Sequence, residues 1–133
     1  FLVRKEHWKW WDYVQGKIED REETREGIFR ELREETSANK FDGPIFTGIV
    51  QKRPFSPETS QHYRATRGDQ YTGKEIYYWV VRFLGDRNEI KLGDDLKDKT
   101  WCRESRLLEL IYKPALPQTR EILDFMKKAK LIQ

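Results

Sequence analysis

The hydrophobic pattern divides the chain into one early helical stretch, β-rich runs through the middle, and helices at the end. Over residues 22–36 no proline occurs, helix formers dominate, and Ile28 and Leu32 repeat at i, i+4, which predicts a helix with a core-facing stripe. Residues 1–3 read as the end of a strand, and residues 8–14 as an aromatic-rich extended segment. Residues 45–51 and 75–83 are rich in β-branched and aromatic side chains. The second run places Ile76, Tyr77, Tyr78, Trp79, Val80 and Val81 in succession, the pattern of a central strand buried on both faces. Residues 54–73, with Pro, Ser, Thr, Gly and the bases Arg64 and Arg67, predict a long polar loop, a length that inside a compact domain is often functional. A turn over residues 93–97, a short strand at Trp101, and helices over 103–111 and 117–130 complete the chain. Internal repeats and low-complexity tracts are absent from the sequence.

One spacing carries chemistry. Gly16 is followed after five residues by Glu22, and after seven more by Arg30-Glu31-Leu32-Arg33-Glu34-Glu35. At average amino-acid usage six such positions coincide by chance about once in a million starts. On a helix Glu31, Glu34 and Glu35 stand at i, i+3 and i+4, so their carboxylates share nearly one face. Three like charges that close repel and raise one another's pKa unless a cation sits among them. A hard divalent ion that keeps several waters, Mg2+ or Mn2+, suits such oxygen donors. The competing reading is a solvated helix laced with pairs such as Glu26 with Arg30. The spacing of the whole stretch weighs against it.

This stretch resembles the Nudix box, here residues 16–38, of hydrolases that cleave nucleoside diphosphates linked to another moiety. The resemblance implies an α/β fold, the Nudix α/β/α sandwich with a mixed sheet, in a single domain over residues 1–133. It also implies one more strand before residue 1, and since the chain begins with Phe rather than Met, residues preceding it are expected to be missing here. In the family the corresponding carboxylates are the metal ligands, which places Glu31, Glu34 and Glu35 in that role and the carbonyl of Gly16 beside them. Arg30 and Glu22 would pair and orient the loop, and Glu34 would position or deprotonate the attacking water. Two residues depart from the family pattern. Ser37 stands where a glycine is usual, so the helix end calls for a non-glycine residue at positive φ at a cost of about 1 kcal/mol, or for a different ending. Val14 replaces the usual proline ahead of the box and leaves the approach turn open.

The second half is similar to asymmetric dinucleoside tetraphosphate hydrolases. The residues that carry this are Lys74-Glu-Ile-Tyr-Tyr-Trp79, Glu89-Ile-Lys-Leu92, Asp95 six residues before Trp101, and the helical end through Tyr112 and Phe125. Tyr78 and Phe125 match the rings that stack on adenine in those enzymes, and Asp95 matches an additional metal ligand. Core packing is the competing reading of each ring, because Trp and Tyr pack well on sheets. The implied activity is metal-dependent pyrophosphohydrolysis of a nucleoside polyphosphate, a diadenosine tetraphosphate-like dinucleotide first of all. Lys17, Lys52 and Arg64 are the candidate phosphate contacts, with His62 a weaker one. Two alternatives remain open: a 5′-end RNA pyrophosphohydrolase, whose box is also preceded by Gln-Gly as at Gln15-Gly16, and a Nudix-derived module that binds nucleotide or RNA without hydrolysis. No protein partner is predicted.

Composition narrows the setting. With 133 residues, 37% hydrophobic and 14% aromatic, the chain can bury one core. A single cysteine, Cys102, excludes an internal disulfide framework and fits a reducing compartment. No apolar run reaches the roughly 18 residues that cross a bilayer, and no signal-like segment is present, so a soluble, intracellular protein is expected, cytoplasmic or in an organelle, with no membrane partner. The net charge of +3 is uneven: residues 17–37 carry eight acids against five bases, leaving +6 on the rest of the chain. An acidic metal pocket in a basic body suits an anionic substrate.

Overall fold

Leu2, Ile111 and Ala115 are each at most 3% exposed and form the centre of the core, with Trp11, Tyr13, Cys102 and Leu107 packed around them. They meet because backbone pairing draws the two ends of the chain together in the computed structural model, which describes residues 1–6, 8–67 and 72–132. Strand β1 (Leu2–Arg4) pairs antiparallel with β4 (Asp98–Thr100), Leu2 opposite Thr100. On its other side, Val3 and Asp12 exchange two backbone hydrogen bonds of 2.9 Å. Trp11 in turn bridges Ile111 in parallel, and the Tyr112 amide donates to the Trp11 carbonyl at 2.7 Å. The predicted extended segment over 8–14 is therefore realised as bridges at Trp11 and Asp12 only.

The other elements are helix α1 (Thr24–Thr36), strand β2 (Phe41–Pro54), helix α2 (Pro57–Arg67), strand β3 (Gly73–Phe83), and helices α3 (Glu104–Leu110) and α4 (Leu116–Lys128). The architecture is mixed α/β with antiparallel ladders, as the resemblance implied, and parallel pairing is confined to the Trp11–Ile111 bridge among the described residues. Strands β2 and β3 form the long hairpin, running from Phe41 opposite Phe83 to Pro54 opposite Gly73 with two bulges. Cross-strand rings hold it: Phe46 and Trp79 centroids lie 4.8 Å apart, Phe41 and Phe83 5.6 Å. Helix α4 packs on β2, and Phe29 of α1 meets Phe41 at 6.3 Å.

Three expectations change. Residues 54–73 are not a loop throughout, because residues 57–67 are helical. Ser56 supplies the start: its Oγ accepts from the Thr59 amide at 3.2 Å, Pro57 takes the first helical position, and Glu58 adds negative charge to the first turn. Phe55 stacks on Tyr63 at 4.9 Å and ties the helix to the hairpin end. Next, β3 is not a central strand buried on both faces: among the described residues β2 is its only ladder partner, and Tyr77 is 52% exposed. Lastly, the short strand lies over 98–100, ending just before Trp101.

The end of α1 matches its expected irregularity. Ser37 adopts φ 59°, ψ 1°, its amide donates to the Arg33 carbonyl, and its hydroxyl donates to the Lys91 carbonyl at 3.0 Å. That last bond offsets part of the roughly 1 kcal/mol that a left-handed non-glycine costs. A strap over residues 91–93 then crosses the helix end, the Lys91 amide donating to Thr36 and the Gly93 amide to Glu35. No helix among the described residues is long and apolar enough to cross a membrane.

The packing of Leu2 yields a stability test. Truncation to alanine at a fully enclosed position removes buried methyls and leaves a cavity, so Leu2→Ala is expected to lower unfolding free energy by about 2–5 kcal/mol, measured as a shifted urea midpoint at unchanged slope.

Candidate active site

The guanidinium of Arg30 organises the loop before α1. Its Nε and Nη2 donate to the two carboxylate oxygens of Glu22 at 2.7 and 3.0 Å, a bidentate pair, and Nη2 also donates to the Lys17 carbonyl at 2.8 Å. Its remaining nitrogen, Nη1, reaches Glu31 at 2.9 Å and Glu34 at 3.2 Å. The Glu19 amide donates to Glu22 Oε1 at 3.0 Å. These bonds hold the Glu22 carboxyl down from its ordinary 4.5 to about 2, the Arg30 side chain being the largest cause. The same contacts, Glu22 first, push the guanidinium's pKa upward. The loop approaches α1 closely at Gly27, where a Cβ would meet Ile18 Cδ1 at 2.6 Å and Glu22 Oε1 at 2.8 Å. A glycine inside a helix costs about 1 kcal/mol, and here it makes room for the loop. Sequence reasoning passed over Gly27, although a lone glycine in a helical stretch often marks such an approach.

Gly16 and Glu31 form the next contact. A Cβ at Gly16 would stand 1.9 Å from the Glu31 carboxyl carbon, so the main chain lies against that carboxylate. One turn on, Glu35 has its pKa raised, first by desolvation, then by the charges of Glu31 and Asp95, with Glu34 adding less and Lys5 opposing. Asp95 arrives on the turn after the strap, where the Leu96 amide donates to the Gly93 carbonyl at 3.0 Å. Among the described residues no three such side chains already converge at ligating positions. Even so, hard oxygen donors, a main chain laid on one of them and a carboxyl destabilised by its acidic neighbours are the surroundings that a divalent cation relieves. The carboxylates of Glu31, Glu34, Glu35 and Asp95 and the Gly16 carbonyl are donors of the hard oxygen type that such an ion takes.

A cleft of about 580 Å³ opens beside this cluster, lined among others by Lys5, Trp8, Asp95 and Lys97. A smaller recess of about 60 Å³ shares Lys5, Trp8 and Asp95 and continues to Tyr13, Gln15 and Glu35. The expected substrate contacts are distributed otherwise. Lys17 gives Arg30 its carbonyl and has an exposed side chain. Lys52 is exposed on β2 opposite Glu75, and His62 and Arg64 are exposed on α2; none of the three lines the cleft. Tyr78 is 8% exposed, its ring edge-on to Tyr13 at 5.9 Å and its hydroxyl donating to Gln51 at 2.8 Å, so it backs the recess wall instead of offering a face to a base. Phe125 is half-buried on α4 and does not join Tyr78 in a pair facing the cleft. Lys5, Trp8 and Lys97, which do line it, were missed. Their signal was the aromatic cluster of residues 8–14 preceded by basic residues.

A family model described as NUDIX domain matches residues 1–124. The chain belongs to the Nudix family. It is 23% identical over 125 residues to Nudix hydrolase 26, chloroplastic, of Arabidopsis thaliana, an alignment covering 85% of this chain and 55% of that protein. The chain thus spans about half the length of the curated relative it matches. In this Nudix domain the box occupies the loop and α1, with Arg30 and Glu22 locked together on the loop side and Glu35 under the charges of Glu31 and Asp95.

The Arg30–Glu22 lock has a pH signature. A carboxyl whose folded pKa lies below its unfolded value adds stability above the unfolded value, and loses it as pH falls through the folded one. For Glu22 the window runs from 4.5 down to about 2. Across it the melting temperature of the unmodified protein is expected to fall more steeply than that of Glu22→Gln, and parallel curves for the two proteins refute the lock.

Proposed function

We propose that the chain is a hydrolase that uses Mg2+ or Mn2+ to split a phosphoanhydride bond in a nucleoside diphosphate derivative, with a diadenosine tetraphosphate-like dinucleotide as the favoured substrate. The observation that supports the reading is a box loop locked by Arg30, with the Gly16 main chain against the Glu31 carboxylate and Glu35 under the charges of Glu31 and Asp95. The ion, when bound, supplies charge neutralisation on the phosphates and a more acidic attacking water. Glu31, Glu35 and Asp95 would hold it, with the Gly16 carbonyl beside them. Glu34 is 57% exposed at its side chain and gives Oε2 to Arg30, so its Oε1 is the atom assigned to receive the water's proton. The bond from Arg30 holds that carboxylate by its other oxygen. The cleft lining sets Lys5 and Lys97 among Glu6, Asp94 and Asp95, so an anionic substrate would meet the two lysines and reach the acids through a bound cation.

The assay is a panel of nucleoside polyphosphates and 5′-triphosphate RNA with Mg2+, products resolved by chromatography. Glu31→Gln, Glu34→Gln and Glu35→Gln are each expected to slow hydrolysis by about a hundredfold or more, in line with losses at metal-assisted sites. The melting temperature of Glu35→Gln without metal should hold or rise as the repulsion from Glu31 and Asp95 is relieved, whereas Glu31→Gln and Glu34→Gln each lose a charged partner of Arg30. Wild-type rates in all three variants contradict the assignment.

Bond choice tests the substrate. Diadenosine tetraphosphate is expected to yield ATP and AMP, since a base held on one side of the metal cluster fixes which phosphorus faces it. Two molecules of ADP as the main product reject the asymmetric register.

A further inference from the structure

The cleft has one aromatic wall that nothing in the reaction described above uses. Trp8 stacks on Trp10, centroids 5.8 Å apart at 21°, and Trp10 stacks on Tyr112 at 4.7 Å and 26°. The guanidinium of Arg53 stands 5.6 Å over Tyr112 and closes the far end of the ladder. Three rings in register make Trp8 a backed, preorganised surface, unlike an isolated exposed indole. The Trp8 amide donates to the Lys5 carbonyl at 3.1 Å, and this turn sets the Lys5 ammonium 5.0 Å over the Trp8 ring. Lys5 is exposed, lines both the cleft and the recess, and acts electrostatically on Glu35. One flexible cation thus lies within reach of an aromatic face and of the acidic cluster.

We propose that Trp8 is the platform on which the base of a nucleotide substrate stacks, and that Lys5, resting on that ring when no nucleotide is present, moves to the phosphates as the base arrives. An exposed cation–π contact is weaker than stacking of a base on an indole, so the base displaces the ammonium. The displaced charge then lies between the base and the cluster of Glu31, Glu35 and Asp95, where an anionic chain bridging the two must run. Lys97, two residues beyond Asp95, lines the same cleft. A cleft of about 580 Å³ is within the range of roughly 300–1,000 Å³ that small-molecule sites occupy. Base recognition thereby falls to the turn between β1 and the box, and neither Tyr78 nor Phe125 supplies it. The proposal rests on the hydrolase reading only in taking the acidic cluster as the phosphate end of the site.

Binding of AMP and of tripolyphosphate, each with Mg2+, separates the base from the phosphates by calorimetry. Trp8→Leu is expected to weaken AMP about tenfold or more, as loss of a stacking partner does, while Trp8→Phe stays within about threefold of wild type. Trp8→Leu should leave tripolyphosphate binding unchanged, whereas Lys5→Gln should weaken it about fivefold or more. In hydrolysis the loss in Trp8→Leu should fall on KM more than on kcat. AMP affinity equal to wild type in Trp8→Leu overturns the proposal, as does a wild-type protein that binds tripolyphosphate but not AMP. Wild-type protein that binds AMP through Trp8 yet hydrolyses no anhydride upholds the platform and rejects the hydrolase reading alone. Should Trp8→Leu not fold, the indole N–H resonances of the five tryptophans carry the test in wild type. The Trp8 resonance is expected to shift most on titration with AMP, and an unmoved Trp8 resonance overturns the assignment.

Discussion

Arg30 is the single side chain through which the loop, the helix and the carboxylates are held in one arrangement. Its five N–H donors point in fixed directions, and the structure meets them with Glu22, Glu31, Glu34 and the Lys17 carbonyl. A lysine has the charge without the fork, and no single ammonium reaches all four partners at these distances. Because the fork is planar, the loop over 17–22 cannot slide along α1 without breaking several bonds at once. Gly27 makes that close approach sterically possible, and Gly16 extends it by laying main chain on the Glu31 carboxylate. The electrostatic cost of gathering acids is thereby divided: Glu22 is neutralised by Arg30, while Glu35 keeps the repulsion of Glu31 and Asp95.

Much of this was readable before any coordinates. The helix, expected over 22–36 and found over Thr24–Thr36, and the placing of Glu31 and Glu35 on one face follow from spacing, because helical periodicity converts sequence intervals directly into faces, while the left-handed ending at Ser37 was one of two endings that the family resemblance left open. The pairing of Arg30 with Glu22 came from the family resemblance and has the predicted partners. What spacing could not convey was long-range placement. Tyr78 sits in a run of six apolar residues, and in such a run strand alternation alone does not tell which rings turn inward. Its place against Tyr13 depends on a residue 65 positions away. Helix α2 was hidden for a different reason. Its start signal, Ser56-Pro57-Glu58-Thr59, consists of the same residue types that mark loops, and it becomes visible only when Ser56 is read as a cap.

The cleft shows the same limit. Lys97 is far in sequence from Lys5 and Trp8 and the three carry no motif, so their meeting is a product of β1 pairing with β4. The Arg4–Asp98 ion pair, at 2.5 Å across that ladder, sits next to both segments and ties them at the level of side chains. The cleft wall is therefore assembled by pairing between the two ends of the chain, while Glu31, Glu34 and Glu35 share one helix.

The strap over residues 91–93 binds the end of α1 through its own main-chain groups, Lys91 to Thr36 and to the Ser37 hydroxyl, and Gly93 to Glu35. Bonds of that kind are indifferent to side-chain identity but depend on the count of residues along the chain. Asp95 consequently inherits its position from loop length. Substitutions at Lys91 or Leu92 leave it where it is, whereas one residue inserted or deleted between Gly93 and Asp95 moves it away from Glu35. Gly93 itself has no such latitude, since a Cβ there would lie 2.7 Å from the Glu34 carbonyl oxygen. Gly93 apart, the segment constrains its register more than its composition.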